Sequence, residues 1–225
     1  APAAEGLHEF MWHNVLLAGT DFDLPTETEV GSLRVLPQTI KLYKDRCETI
    51  SVVSTLEMKD FQLSAYGLTS PTILEDQTVG QDDPNNAASA GYKYQFNIPT
   101  DAPGLTVTLD ADADGEVDLD LYLFYDADGD GTFAAGEQVG ASQDSTADES
   151  ITLGGFSPAG DYEVRVHGWS VPSGTTTFDL RIDAVYGEDL RVSNVPTTLV
   201  PGEEYQMTVC ADPTAIEGRE EGGPG

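Results

Sequence analysis

The sequence predicts an all-β protein built around an antiparallel β-sandwich. Apolar and polar residues alternate over many short segments, which is the period of a half-buried strand. Gly (23 residues) and Pro (13 residues) are frequent and separate these segments, as turn residues do in β proteins. No segment repeats its apolar residues convincingly at helical spacing. Short alternating strands between turns are typical of a sandwich.

The most regular alternation lies in residues 88–187, which we predict to be one β-sandwich domain. Tyr92, Tyr94 and Phe96 alternate with polar residues, and similar patterns recur along the region. Gly, Pro and Asp turns between these segments favour antiparallel pairing. The expected strands cover residues 92–98, 105–109, 119–125, 151–153, 162–166 and 178–182.

The flanking regions, residues 1–76 and 188–225, show a weaker strand pattern. Each contains a Leu-Arg-Val run followed by a further strand, and in this each resembles the start of an immunoglobulin-like β module. The tail has too few strands to cover its apolar face, so we expect another segment or another chain to complete this partial module. The polar, turn-rich segment 77–87 is expected to be a linker. In the first region the strand-like runs are 9–18, 33–43, 48–54 and 61–66.

An acidic segment at residues 126–137 matches the calcium-loop template D-x-D-x-D-G-x5-E at every specified position. Calcium prefers oxygen ligands, which carboxylates at loop positions 1, 3, 5 and 12 and a carbonyl at position 7 supply. Because the preceding residues alternate as a strand, we expect a structural clip between two strands and not a helix-pair sensor. A solvated acidic turn is the alternative, since Asp and Gly are common turn residues. The predicted ligands are Asp126, Asp128, Asp130, Glu137 and the carbonyl of Thr132.

A second acidic segment, immediately upstream, repeats part of this spacing. It fills the early loop positions, but position 12 is Leu121, so the closing carboxylate is missing. The pattern fits either a second calcium ion or an Asp-rich turn without metal. The residues of this second candidate site are Asp110, Asp112, Asp114, Asp118 and Asp120.

The charge of the chain excludes several classes of partner. With 40 acidic and 10 basic residues the formal net charge is −30, which opposes binding to nucleic acid or to an anionic lipid surface. No apolar run approaches the ~20 residues of a membrane-spanning helix, so we expect no membrane insertion. The chain begins with Ala1 and not Met, which we expect of a secreted protein whose signal peptide has been removed.

Two cysteines, Cys47 and Cys210, lie far apart in the sequence and in no metal-ligand spacing. In an oxidising extracellular environment we expect them to form a disulfide, within one chain or between two. Two buried free thiols are the alternative.

Three segments carry a family resemblance. Residues 92–96 read as a first strand, residues 118–123 as a strand of alternating acids, and residues 160–169 as a G-x-Y-x-V-x-V-x-G strand. With these segments, residues 90–187 resemble the bacterial pre-peptidase C-terminal domain, which is appended to secreted peptidases and especially to subtilisin-like ones. The resemblance implies a jelly-roll-like sandwich, secretion, frequent calcium binding and a non-catalytic role. The 126–137 loop is longer than the usual turn of the family, so its ligands rest on the calcium template.

Motifs of a catalytic site are missing from the sequence. It has no Gly-x-Ser-x-Gly elbow, no subtilisin-type serine motif and no H-E-x-x-H zinc helix, so we expect no enzyme. Of the three histidines, His8 and His13 flank an apolar segment, and His167 is expected to be structural or exposed. A set of aromatic residues forms either sandwich core or a carbohydrate platform: Tyr122, Phe124, Tyr125, Tyr162 and Trp169.

These observations predict a non-catalytic extracellular protein that calcium stabilises. The first hypothesis is a structural protein of a filament or surface layer. Its main partner would be itself, because the apolar segment 10–17 of one copy would complete the tail of the next by strand addition. The second hypothesis is an accessory region of a secreted subtilisin-like peptidase. The third is a carbohydrate- or matrix-binding module.

Overall fold

The computed structural model describes residues 22–25, 33–37, 39–42, 46–67, 69–111 and 116–212. Their regular structure is almost entirely β, with two single-turn 3-10 helices at Ala87–Ser89 and Ala135–Glu137. No helix in these ranges is long and apolar enough to cross a membrane. The strands are β1 (Phe22–Pro25), β2 (Leu33–Leu36), β3 (Thr39–Leu42), β4 (Glu48–Ser54), β5 (Met58–Lys59), β6 (Thr72–Gly80), β7 (Tyr92–Ile98), β8 (Gly104–Asp110), β9 (Asp118–Tyr125), β10 (Gln138–Ser142), β11 (Glu149–Leu153), β12 (Gly160–Ser170), β13 (Thr175–Val185), β14 (Leu190–Ser193), β15 (Thr198–Leu199) and β16 (Glu204–Ala211).

The chain divides into two compact domains. Residues 70–186 form the inserted domain, which is continuous in sequence. The described residues up to 69 and those from 187 to 212 together form the split domain.

The inserted domain is an antiparallel β-sandwich of two four-stranded sheets. One sheet has the order β10-β9-β12-β7 and the other has the order β11-β8-β13-β6. Apolar side chains from both sheets form one hydrophobic core. The all-β class and the sandwich predicted from the sequence are confirmed.

Alternation along the strands decides which side chains enter this core. On β9, Leu119, Leu121 and Leu123 are fully buried in it, and the intervening residues lie on the opposite face of the sheet. Full burial of one such leucine contributes about 1.5–3 kcal/mol. Every second residue of β9 is therefore buried in the core, as the alternation in the sequence predicts.

Gly168, the last residue of the G-x-Y-x-V-x-V-x-G pattern, permits a close approach between two strands. A Cβ atom at this position would lie 2.0 Å from the carbonyl oxygen of Gly80 at the end of β6. The backbone N–H of Gly168 also donates to Oδ2 of Asp82, at 2.9 Å. A larger residue would push the end of β6 away from β12.

The split domain is built from two distant segments of the chain. Its main sheet has the order β14-β16-β4-β2, with β16 antiparallel to β4 over residues 204–209 and 48–53. Cys47 and Cys210 form a disulfide at a sequence separation of 163, with their Cα atoms 4.3 Å apart. The predicted disulfide is confirmed, and it lies within one chain.

The predicted domain boundaries need two corrections. The expected linker 77–87 begins inside β6, a strand of the inserted sandwich, because β6 pairs with β13 over Thr72–Gly80. The tail is not a module of its own, because β14 and β16 complete the sheet of β2 and β4 within the same chain. The flanks are therefore one domain and not two immunoglobulin-like modules. Of the two expected ways to complete the tail, by another segment or by another chain, the structure shows the first.

Several expected strands of the first region differ in detail. The run 33–43 is two strands, β2 and β3, with Pro37 between them. The run 61–66 forms no strand, and Gly67 after it forms a parallel bridge to Glu188. Segment 9–18, His8, His13 and residues 213–225 lie outside the described residues.

Candidate metal centre

The 126–137 loop connects two strands of the first sheet. Asp126 follows the last residue of β9, and its backbone N–H donates to the carbonyl of Asp161 on the neighbouring strand at 2.9 Å. The loop leaves through the 3-10 turn Ala135–Glu137 and continues directly into β10. The predicted strand–loop–strand arrangement is confirmed, with one helical turn added at its exit.

Asp126 organises the first half of the loop. Its side chain is buried, and its Oδ1 accepts hydrogen bonds from the N–H groups of Gly129 (2.8 Å) and Asp130 (3.2 Å). Its Oδ2 accepts from the N–H of Gly131 at 2.9 Å. Gly129 and Gly131 have φ of 72° and 78°, in the left-handed region that glycine adopts without steric cost. The chain can therefore wrap its N–H groups around one carboxylate.

Asp128 and Asp130 complete a cluster of three carboxylates. One oxygen of each, together with one of Asp126, lies within 4.8 Å of the other two. Oδ1 of Asp130 accepts from both the N–H (2.7 Å) and the hydroxyl (2.6 Å) of Thr132. These two bonds lower the pKa of Asp130, so the carboxyl stays ionised to more acidic pH. Three converging hard oxygen donors fit a calcium ion.

Glu137 closes the loop onto itself. Its Oε1 accepts from the N–H of Ala127 at 2.9 Å, and its Oε2 accepts from the N–H of Ala134 at 2.8 Å. The structure therefore does not group Glu137 with the three aspartates. Ligation by Glu137 and by the carbonyl of Thr132 stays a prediction.

The second candidate site is only partly described, since Asp112 and Asp114 lie outside the described residues. Asp110 is exposed at the end of β8, whereas Asp120 is buried on β9. Oδ2 of Asp120 accepts the hydroxyl of Tyr122 at 2.9 Å. Burial and then the charge of Asp120 raise the pKa of Asp118, whose Oδ1 is buried without a hydrogen bond. These three carboxylates do not form a cluster like that of the 126–137 loop.

Asp120 also lies beside a buried histidine, in an arrangement that resembles a hydrolase triad. Nδ1 of His167 is 3.4 Å from Oδ2 of Asp120, and its Nε2 is 3.5 Å from the hydroxyl of Ser89. Nε2 is closer to the carbonyl of Asp83, at 3.1 Å. Because a carbonyl can only accept, this contact requires the proton on Nε2, which then cannot act as a base toward Ser89.

The hydroxyl of Ser89 is also committed elsewhere, and the histidine is closed to solvent. The Ser89 hydroxyl donates to the carbonyl of Asn86 at 2.7 Å. The His167 side chain is 1% exposed. A substrate carbonyl has no access to this group, so the geometry is that of a structural network joining the 81–91 segment to the sheet.

The aromatic residues do not form a carbohydrate platform. Tyr122 and Phe124 are buried on one face of β9, whereas Tyr162 is fully buried in the core on the other side of the sheet. Phe96 and Tyr125 pack against Tyr162 with ring centroids 5.4 Å and 5.0 Å away. Of the five residues considered, Trp169 alone has a large exposed surface. Tyr162 and Tyr125 thus belong to the sandwich core, whereas Tyr122 and Phe124 are buried on the outer face of the sheet.

One contact of the loop, made by Arg165, could not be predicted from the sequence. Arg165 on β12 donates from Nη2 to the carbonyl of Phe133 at 2.7 Å. In the sequence Arg165 is one of two charged residues, with Glu163, that alternate with valines along this strand. The signal in the sequence is the alternation of Glu163 and Arg165 with apolar residues, which places the two charges on the outer face of the strand.

Comparison with known proteins identifies the inserted domain. Residues 93–168 match the family model of the bacterial pre-peptidase C-terminal domain. The resemblance predicted from the sequence is confirmed by this match, which covers about a third of the chain and lies within the inserted domain.

The comparisons with solved structures and with curated proteins give weaker results. One solved structure, the pre-peptidase C-terminal domain of a collagenase from Bacillus anthracis, matches with 11% identity and a TM-score of 0.32, covering 48% of this chain and 89% of its own. Among curated proteins, no significant match was found.

Proposed function

We propose that this chain is a non-catalytic accessory region of a secreted peptidase, and that calcium in the 126–137 loop stabilises its inserted domain. The observation that carries the accessory role is the family match of residues 93–168. The disulfide between Cys47 and Cys210 supports an extracellular location, where disulfides persist. The closed surroundings of His167 support the absence of catalysis.

The carboxylate cluster supports the calcium part of the proposal. Asp126, Asp128 and Asp130 would hold the ion, with Glu137 and the Thr132 carbonyl as further ligands. The ion would neutralise three carboxylates that repel one another when it is absent. Self-association of the chain stays a prediction, although the tail no longer supplies a reason for it.

The reading frame that encodes this chain tests the accessory role. We expect it to encode a peptidase domain joined to these residues. The same purified protein, with and without its peptidase domain, should then show proteolysis only when that domain is present. A reading frame without any peptidase domain, or proteolysis by these 225 residues alone, would contradict the proposal.

Thermal unfolding in calcium and in chelator tests the metal site. Because calcium binds the folded loop, saturation at about one hundred times the Kd should stabilise the inserted domain by about 2.7 kcal/mol. The double variant Asp128→Ala/Asp130→Ala should lose this difference. The control Glu75→Ala/Asp144→Ala removes the same charge from exposed positions outside the loop and should keep it. Identical melting with and without chelator in the unaltered protein would refute calcium binding.

A further inference from the structure

The outer face of the first sheet contains a nearly buried arginine that contacts the 126–137 loop. The side chains of Arg165 and Glu163 on β12 are 11% and 6% exposed. An arginine on the solvent side of a sheet ordinarily extends into water. Burial of its charge requires partners that compensate for lost hydration.

Those partners fix the guanidinium of Arg165 from two sides. Its Nε donates to Oε1 of Glu163 at 2.6 Å, and Oε2 of Glu163 accepts from the amide of Gln95 on β7 at 2.9 Å. Its central carbon lies 3.9 Å from the centroid of the Phe124 ring, a cation–π contact. The planar fork is therefore held in one orientation by residues of three neighbouring strands.

Another nitrogen of the guanidinium, Nη2, contacts the loop. Nη2 donates to the carbonyl of Phe133 at 2.7 Å. Phe133 directly follows Thr132, whose carbonyl is the expected ligand at loop position 7, so the two carbonyls belong to consecutive peptide groups. The anchored carbonyl restricts the peptide that presents the ligand. Asp126 holds the first half of the loop, and Arg165 holds the point where the second half begins.

We propose that Arg165 is a positioning residue for the metal loop: it tethers the loop to the sheet in the shape that calcium binds. This inference rests on the proposed calcium site, and it extends that site to a residue outside the loop. A tether formed before the ion arrives reduces the ordering that binding must supply, so it should appear as calcium affinity.

The test combines calcium titration calorimetry with hydrogen exchange of the loop in chelator. Arg165→Lys keeps the charge but loses the fork, and Glu163→Gln/Arg165→Met removes the buried pair together, so no charge is left buried alone. We expect both variants to weaken calcium binding about tenfold. We also expect faster exchange of amides 127–134 in chelator, while amides of β9 and β12 stay protected as a check on folding.

Arg181 provides a matched control on the other sheet. It pairs with Asp183 two residues away, through Nε–Oδ2 at 2.6 Å and Nη2–Oδ1 at 2.9 Å. Arg181→Lys and Arg181→Met/Asp183→Asn should leave calcium affinity within about twofold and loop exchange unchanged, since additivity holds for distant sites.

The outcomes separate the two proposals. Failure of the unaltered protein to bind calcium overturns the proposed function, and loop exchange in chelator then still decides whether Arg165 is a tether. Unchanged loop exchange in both Arg165 variants overturns the tether. Wild-type calcium affinity with faster loop exchange overturns the positioning role, and an equal loss of affinity in the Arg181 variants does the same.

Discussion

The two domains differ in the sequence separation between their paired strands. This difference indicates which interactions stabilise each domain. The inserted domain pairs strands from one continuous segment, and its described residues include a core of 20 buried side chains. In the described part of the split domain the core has 12 buried residues, and β4 pairs with β16 across the whole insertion. The pairing of β4 with β16 closes a much longer loop than any strand pair of the inserted domain, so we expect the disulfide to contribute most to the split domain.

Removal of the disulfide should produce the largest effect and separate the two domains. Cys47→Ala/Cys210→Ala releases a loop with a sequence separation of 163 and should destabilise the split domain by about 4 kcal/mol. Hydrogen exchange resolved by segment should rise in β4 and β16 and remain unchanged in β8, β9 and β12. Equal acceleration in both domains would show that they do not unfold separately.

A substitution at Gly168 should destabilise the inserted domain and leave the split domain unaffected. Gly168→Ala places a Cβ 2.0 Å from the Gly80 carbonyl oxygen, so β6 must move, and we expect a loss of about 2–3 kcal/mol in the inserted domain. Gly154→Ala is the control, because a Cβ there meets nothing within 4 Å. Denaturant unfolding measures both variants, and similar losses at the two glycines would contradict the close-approach argument.

Variants of Asp126 and Asp128 should distinguish a residue that stabilises the free loop from a residue that acts only as a calcium ligand. In chelator, Asp126→Ala leaves the N–H groups of Gly129 and Gly131 without their acceptor, whereas the N–H of Asp130 keeps Oδ1 of Asp128 at 3.1 Å. We expect this variant to cost about 1–2 kcal/mol and Asp128→Ala to cost less than about 0.5 kcal/mol. In calcium both variants should lose affinity. Equal effects in chelator would mean that Asp126 does not organise the free loop.

The smallest predicted effect concerns pH. Burial is the main cause that raises the pKa of Glu149, whose side chain shares the inward side of β11 with Ile151. A raised carboxyl pKa contributes stability below its unfolded value, and this contribution is lost as pH rises through the folded value. Glu149→Gln should therefore stabilise the inserted domain at neutral pH by less than about 1 kcal/mol.

The partners of Glu149 suit a glutamine. The carboxylate accepts from the Asp144 N–H at 2.9 Å and from the Ser142 hydroxyl, and an amide can accept from the first and donate to the second. The gain should vanish below about pH 3.5, where the glutamate is mostly protonated in both states. The exposed control Glu75→Gln should show no such difference, and a gain that persists in acid would rule out the pH argument.

The sequence predicted the inserted domain well because its signals are local. Alternation placed β7, β8, β9, β12 and β13, and the glycine pattern around the calcium template predicted the turn that Asp126 organises. β6 was missed because its alternation is interrupted: its pairing with β13 shifts register between Phe178 and Leu180, and Asp76 opposite this shift has φ of 55°. Such a bulge removes the period of two from which a strand is recognised.

The split domain and the loop tether could not be predicted in the same way. Local patterns specify strands but not partners, so β16 appeared to lack the sheet that β4 provides from the other end of the chain. Arg165 is a similar case, because its role depends on the Phe133 carbonyl of a loop 32 residues earlier. Both features depend on long-range contacts, and the alternating sequence around them is compatible with several arrangements.

The disulfide also determines how the chain would respond to mechanical force. If tension is applied between residues before Cys47 and residues after Cys210, the covalent bridge transmits it directly from one cysteine to the other. Residues 48–209, including the complete inserted domain and its acidic loop, then remain outside the load path. Under reducing conditions the same pull would pass through β4 and β16 and then into the inserted sandwich. With the disulfide formed, the chain can thus bear tension applied outside the two cysteines while the inserted domain stays folded.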